Sequence, residues 1–198
     1  MIAEPNRPRN SRGVPVALAA LALAGTLYGL AAAVGETCYF QSRYGCARGD
    51  LARTLAWSRT AAACYPFDYY VSIWAGKQAF HGRHDAATPA ERDSRVEAAT
   101  YWARRGYGLN PYNSESVQLW ADVLALSSPS AALAVWEPYV QRHFWDPFNH
   151  VFLVDLYLRA DELEKAEASL YWAQKSNAFQ GLRDRLDAAW RARRRGRG

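Results

Sequence analysis

At 198 residues with 24 basic and 19 acidic side chains, the chain has room for one membrane segment and one domain of about 150 residues, and none for a second large domain. The net charge of +5 points to a nucleic-acid binder only until its distribution is read. Five arginines (Arg191, Arg193, Arg194, Arg195, Arg197) and three more (Arg7, Arg9, Arg12) lie at the two ends, so residues 14–190 hold 16 basic against 18 acidic residues and form a nearly neutral body.

Residues 1–13 read as a basic cytoplasmic tail. The run from Val14 to Gly35 carries no charge and has about the 20 residues needed to cross a bilayer at 1.5 Å per residue, so 14–35 is predicted to be a transmembrane helix or signal anchor. Arg7, Arg9 and Arg12 flank it on the amino side, and the positive-inside rule holds that end in the cytoplasm. The rest of the chain then faces the periplasm of a bacterial inner membrane in a single pass. The competing reading is a cleaved signal peptide, because Ala31-Ala32-Ala33 makes a small-x-small site; the length of the run favours the anchor. Within it, Gly25 and Gly29 form a G-x-x-x-G that puts two glycines on one helix face and invites helix pairing, hence a homo-oligomer.

A membrane-exit linker is expected over 36–47. Cys38, Cys46 and Cys64 follow the apolar run without any C-x-x-C pair, which supports neither a zinc site nor a redox motif. In an oxidising compartment they are candidates for a disulfide: Cys38 with Cys46 closes a small loop, Cys46 with Cys64 pins that loop to the next helix, and one thiol is left over.

Beyond residue 48 the apolar and aromatic residues recur at steps of three and four, as in Val117, Trp120, Val123 and Leu124, a helical spacing. Turn residues at Tyr65-Pro66, His81 to Pro89, Asn110-Pro111, Ser127-Ser128-Pro129 and Asp146-Pro147 punctuate the segments. Helices are predicted near 48–64, 67–80, 91–108, 113–126, 129–143, 148–160, 162–177 and 182–195. The fold class is all-α, antiparallel hairpins over 48–190.

Three helix stops share a pattern: Tyr-Pro-Phe-Asp at Pro66, Asn-Pro-Tyr-Asn at Pro111 and Asp-Pro-Phe-Asn at Pro147, at intervals of 45 and 36 residues. Trp57 and Trp102 each precede their proline by nine residues. The stretch Glu97-Ala98-Ala99-Thr100-Tyr101-Trp102-Ala103 recurs 70 residues later as Glu167-Ala168-Ser169-Leu170-Tyr171-Trp172-Ala173, two periods of 35. The spacing resembles the 34-residue tetratricopeptide repeat, over about residues 48–181. Both copies resemble its second helix, with Ala99 and Ser169, then Gly106 and Ser176, at positions where such helices cross closely. The resemblance implies a solenoid with a concave binding surface. A fainter resemblance, carried by Tyr101 to Asn113, is to the exported repeat tails of O-antigen polymerase and ligase proteins, implying at most an accessory in envelope polysaccharide assembly.

Candidates for chemistry are thin. His81, His84 and Asp85 stand close in a polar loop without a third ligand at helical spacing. His143 and His150 bracket an aromatic hinge. Asp161, Glu162 and Glu164 suit a helix start through its dipole. No nucleophile elbow and no phosphate-binding glycine loop occurs, so no enzyme, metal or cofactor is expected. Of the 27 aromatic residues most belong in hairpin interfaces; Tyr69, Tyr70, Trp120, Tyr139 and Trp145 are the candidates to line a concave face. Residues 191–198 are expected as a disordered Arg-rich tail with affinity for anionic lipid or polysaccharide. The sequence thus predicts a membrane-anchored scaffold for envelope proteins, with no nucleic-acid partner.

Overall fold

The computed structural model describes residues 13–46 and 50–196; the basic tail at 1–12, residues 47–49 and residues 197–198 lie outside them. Among the described residues every regular element is helical, and the chain divides into two compact units, Met1–Phe67 and Asp68–Gly198.

The first unit is one hairpin. Helix α1 (Gly13–Phe40) passes without a break into a π-helical turn (Gln41–Gly45), and α2 (Leu51–Cys64) follows, with the Asp50 carboxylate accepting from the Arg53 amide. The segment expected as a linker, 36–47, is therefore helical through Gly45. Helix α1 is long and apolar enough to cross a bilayer, and its side chains from Val14 to Leu30 are all exposed. From Ala31 on, one stripe turns inward: Gly35, Cys38 and Ser42 are buried and meet the Thr54, Leu55, Ser58 and Ala61 stripe of α2. The two Ser hydroxyls, Ser42 and Ser58, are 2.8 Å apart. Ser42 also donates to the Thr54 carbonyl, so the polar atoms inside this interface have partners.

The second unit stacks three hairpins and a last helix: α3 (Tyr69–Gly82) with α4 (Pro89–Leu109), α5 (Ser114–Leu124) with α6 (Pro129–Arg142), α7 (Pro147–Arg159) with α8 (Leu163–Trp172), then α9 (Phe179–Arg195). The starts follow from the caps. Asp68, Thr88, Asn113, Ser128 and Asp146 each accept an amide of the following turn, and proline stands in the first turn of α4, α6 and α7, where its missing N–H costs nothing. Helix α9 runs through Arg195, so the arginines from 191 to 195, expected in a disordered tail, are helical; i,i+4 pairing and continuation of the Leu182, Leu186 face carry the helix on.

The repeated segments sit as second helices of hairpins, on α4 and α8, and Ala99, Gly106, Ser169 and Ser176 are buried. A continuous core joins Val117 and Ala121 of α5 to Trp136 and Tyr139 of α6, Leu153 and Leu156 of α7, Leu170 of α8 and Leu182 of α9. At the other end Gly76 of α3 faces Trp102 and Leu119 so closely that an added Cβ would lie 2.7 Å from Leu119 Cδ2 and 3.3 Å from Trp102 Cβ. Overpacking of this kind costs about 1–3 kcal/mol. Gly76→Val in the full chain is expected to lower the thermal unfolding midpoint by several degrees, whereas Gly108→Ala, with open space at its Cα, should not; equal effects of the two would show that the α3 crossing is not tight.

Candidate functional site

Helices α5 and α7 are the first members of successive hairpins and α9 is the last helix of the stack; between them lies a groove of about 830 Å³. Its polar residues come at helical steps: Ser114, Gln118 and Asp122 along α5, Asp155 and Arg159 on α7, Arg185 on α9. Its apolar wall is Phe148 and Phe152 of α7 over Trp136 of α6. Trp136 is 2% exposed; its Nε1 donates to the Asn149 carbonyl at 3.0 Å and its ring meets Phe152 edge to face at 4.9 Å. The groove floor is thus fixed from behind by a buried hydrogen bond and an aromatic pair, the rigidity a binding surface needs.

Charges on the wall are unevenly matched. Asp155 holds two guanidiniums, Arg159 on its own helix and Arg185 on α9, each at 2.7 Å. Nearer the α3 end, Lys77 pairs with Glu115 at 2.9 Å. Asp122 lies between these pairs and is in none of them. Burial raises its carboxyl to about 6; the Arg159 and Arg83 guanidiniums pull it back and Asp155 adds to the rise.

The aromatic residues singled out in the sequence lie elsewhere. Tyr139 is 8% exposed, with Trp136 stacked 5.0 Å from its ring and His143 at 4.3 Å; its faces are taken by the core, which removes it from any groove. Tyr69 and Tyr70 stack on each other at the start of α3, Trp120 is half-buried on α5, and Trp145 is exposed on the α6–α7 turn beside Phe144. None of the five lines the groove; Phe148 and Phe152 do. The reason is helical phase: Trp120 is two residues from both Gln118 and Asp122, about 200° around the helix. Sequence reasoning passes over Asp122, although Ser114, Gln118 and Asp122 at steps of four among apolar neighbours mark one polar stripe.

The remaining candidates are structural in their surroundings. His143 Nδ1 lies 3.1 Å from the Tyr139 carbonyl and His150 Nε2 lies 2.8 Å from the Phe144 carbonyl, both bracing the α6–α7 turn. His81 closes α3 and His84 is in the short turn after it. Asp161 takes a left-handed conformation between α7 and α8, φ 58°; Glu162 precedes the first residue of α8 and Glu164 pairs with Arg193. Among the described residues no three or more His, Cys, Asp or Glu side chains are arranged to hold a metal ion. A smaller cavity of about 350 Å³ opens beside Phe144, lined by Glu137, Gln141, Tyr157 and Lys165, where Tyr157 donates to the Glu137 carboxylate at 2.7 Å. In the first unit, Cys38 and Cys64 face across the α1–α2 interface within electrostatic range of each other, whereas Cys46 turns back to its own helix, Sγ 3.4 Å from the Gln41 carbonyl. Gly25 and Gly29 have open space at their Cα atoms.

Among solved structures the chain is similar to a thermophilic TPR protein of Thermus thermophilus, with a TM-score of 0.60 and 20% identity over 79% of this chain and 81% of that one. No family model matches the chain, and comparison with curated proteins finds no match. The likeness establishes a tetratricopeptide-repeat-like fold.

A carboxyl that titrates near pH 6 when folded and near 4 when unfolded destabilises the fold while ionised. That cost is fully present above pH 6 and fades as the pH falls toward 4. Asp122→Asn is therefore expected to stabilise the full chain at pH 7.5 by on the order of 1–3 kcal/mol and to make little difference at pH 4, as followed by thermal denaturation at both pH values. A loss of stability at pH 7.5 would mean that Arg159 and Arg83 outweigh burial.

Proposed function

We propose that the chain is a single-pass bacterial inner-membrane scaffold, not an enzyme, whose helical domain faces the periplasm and holds a segment of an envelope protein in the groove of α5, α7 and α9. The observation that carries this reading is the groove itself, an apolar wall of Phe148 and Phe152 opposite a row of charges. Such a surface fits an extended or helical peptide with one apolar anchor and a basic side chain, and the Asp122 carboxylate gains a partner when that cation arrives. Anchoring is supported by the length of the apolar run, which exceeds the roughly 7–15 residues usual for the apolar core of a cleaved signal. The open face at Gly25 and Gly29 suits pairing with a second copy of α1. For an oxidising compartment the proposed disulfide is Cys38 with Cys64, supported by the electrostatic influence of one on the other across the hairpin.

Partner capture tests the groove. A photocrosslinking amino acid at Gln118, on the groove wall, is expected to trap a discrete membrane or periplasmic protein in cells, and one at exposed Glu97 on α4 is not. Asp122→Lys should cut the Gln118 adduct by roughly tenfold by placing like charge against a basic ligand without unfolding the domain. Equal trapping from both positions would remove the groove as the binding site.

A second reading, an accessory in envelope polysaccharide assembly, draws on a different surface. Phe144, Tyr171 and Trp172 are exposed together, with Phe144 and Tyr171 each edge-on to Trp172, beside the small cavity with Glu137, Gln141 and Lys165; stacking on a sugar ring is what such a platform offers. Retention on an envelope polysaccharide matrix, lost in Trp172→Ala and kept in Asp122→Lys, would favour it.

A further inference from the structure

Where the bilayer ends on the domain side is set by how α2 packs on α1. The apolar run ends in sequence at Gly35, and α2 turns back antiparallel so that its last turn comes down to that same level. An added Cβ on Gly35 would sit 2.8 Å from Tyr65 Cβ and 3.3 Å from the Ala61 carbonyl oxygen. About two turns nearer the amino end, the Tyr28 ring meets the Tyr65 ring edge to face at 6.1 Å. The C-terminal end of α2 is thus level with Gly35, and the Tyr65 ring reaches Tyr28; the exposed Phe67 follows two residues on.

Irregular backbone does not persist lipid-exposed in hydrocarbon, and α2 ends at Cys64 in a turn. If all of 14–35 lay in the acyl core, the end of α2 would be dragged into it. The exposure pattern gives the alternative. The fully exposed stretch Val14–Leu30 is about 26 Å long at 1.5 Å per residue, close to the roughly 30 Å of a bilayer's hydrocarbon. Burial against α2 begins in the next residue.

We propose that the bilayer contact of α1 is Val14–Leu30, with its last turn from Tyr28 at the edge of the hydrocarbon, and that Tyr28, Tyr65 and Phe67 rest in the lipid headgroup layer as a second contact with the bilayer. Tyr28 is 51% and Phe67 68% exposed, and aromatic side chains with a polar end, such as tyrosine, are enriched at that depth. The α1–α2 hairpin then enters the interface as one rigid unit. Its orientation is fixed by two points, the span and the turn, where a lone helix with a flexible exit would have one.

The inference rests on the anchor reading, and the test separates the two. A dansyl amino acid is placed singly at Leu21, Phe67 or Ala52 of the full chain, which is reconstituted in phosphatidylcholine–phosphatidylglycerol vesicles carrying nitroxide lipids labelled at the headgroup or deep in the acyl chain. The expected result is deep quenching at 21, headgroup quenching at 67, and no quenching at 52, which the α2 rise puts about 20 Å farther out. Quenching at 21 with 67 behaving like 52 would overturn the interfacial turn and leave the anchor standing. Absence of quenching at 21 would overturn the anchor and the turn together. Phe67→Asp at the same time should weaken headgroup quenching of a probe at Tyr65 and leave that at 21 unchanged; no change at 65 counts against the contact.

Discussion

Close approach at residues with little side chain is the constraint on which both units depend. A helical hairpin has an apolar face that it cannot cover alone, and neighbours cover it only if their axes come near enough for side chains to interlock. Gly76 lets Leu119 and Trp102 reach the backbone of α3, and Gly35 does the same for α2 against α1. Ala61, Ala99, Ala121 and Ala132 are fully buried and extend the same principle through the stack. Large aromatic side chains then fill the spaces left beside these crossings, with Trp102 and Trp136 as the two largest of the fully buried residues.

This arrangement explains which parts were legible in the sequence. Helix starts were readable because capping depends on local chemistry alone: proline, Asp, Asn, Ser or Thr at the right step fixes the turn whatever packs later. The 70-residue echo between 97 and 167 was readable because equivalent crossings demand equally small residues, and the paired small positions Ala99 with Ser169 and Gly106 with Ser176 are all buried. The solenoid followed from these two signals.

What the sequence did not yield depends on phase and on neighbours. Tyr139 and Trp145 are both aromatic residues near a turn, but the first is held between Trp136 and His143 and the second is left outside. Six residues apart in sequence, they are separated by the end of α6. A periodic pattern names a helix face without saying which neighbour meets it, so the aromatic wall of the groove, Phe148 and Phe152, was hidden among other equally spaced aromatics. The extent of α1 was hidden for a related reason. Hydropathy marks where apolar residues stop, whereas the useful boundary is where a second helix begins to cover the first, and only the α1–α2 register locates that.

Under the proposed function, Asp122 is where the stack would trade stability for binding. A carboxylate about one turn from Leu119 and beside Val123 is pulled out of water by the same interlocking that builds the core, and with Arg159 held by Asp155 it lacks a close counter-ion among the described residues. Replacing it by a neutral side chain is expected to relieve that burial cost and takes the unmatched charge off the groove wall. A binding surface differs from a core in this respect: it keeps an unsatisfied group where a partner can satisfy it, and the stability given up in the free protein becomes affinity and selectivity in the complex. A cation offered by a ligand removes the penalty at Asp122. An acidic or apolar ligand would leave it in place, so under the proposed function the groove would discriminate by charge before any contact with Phe148 or Phe152 is made.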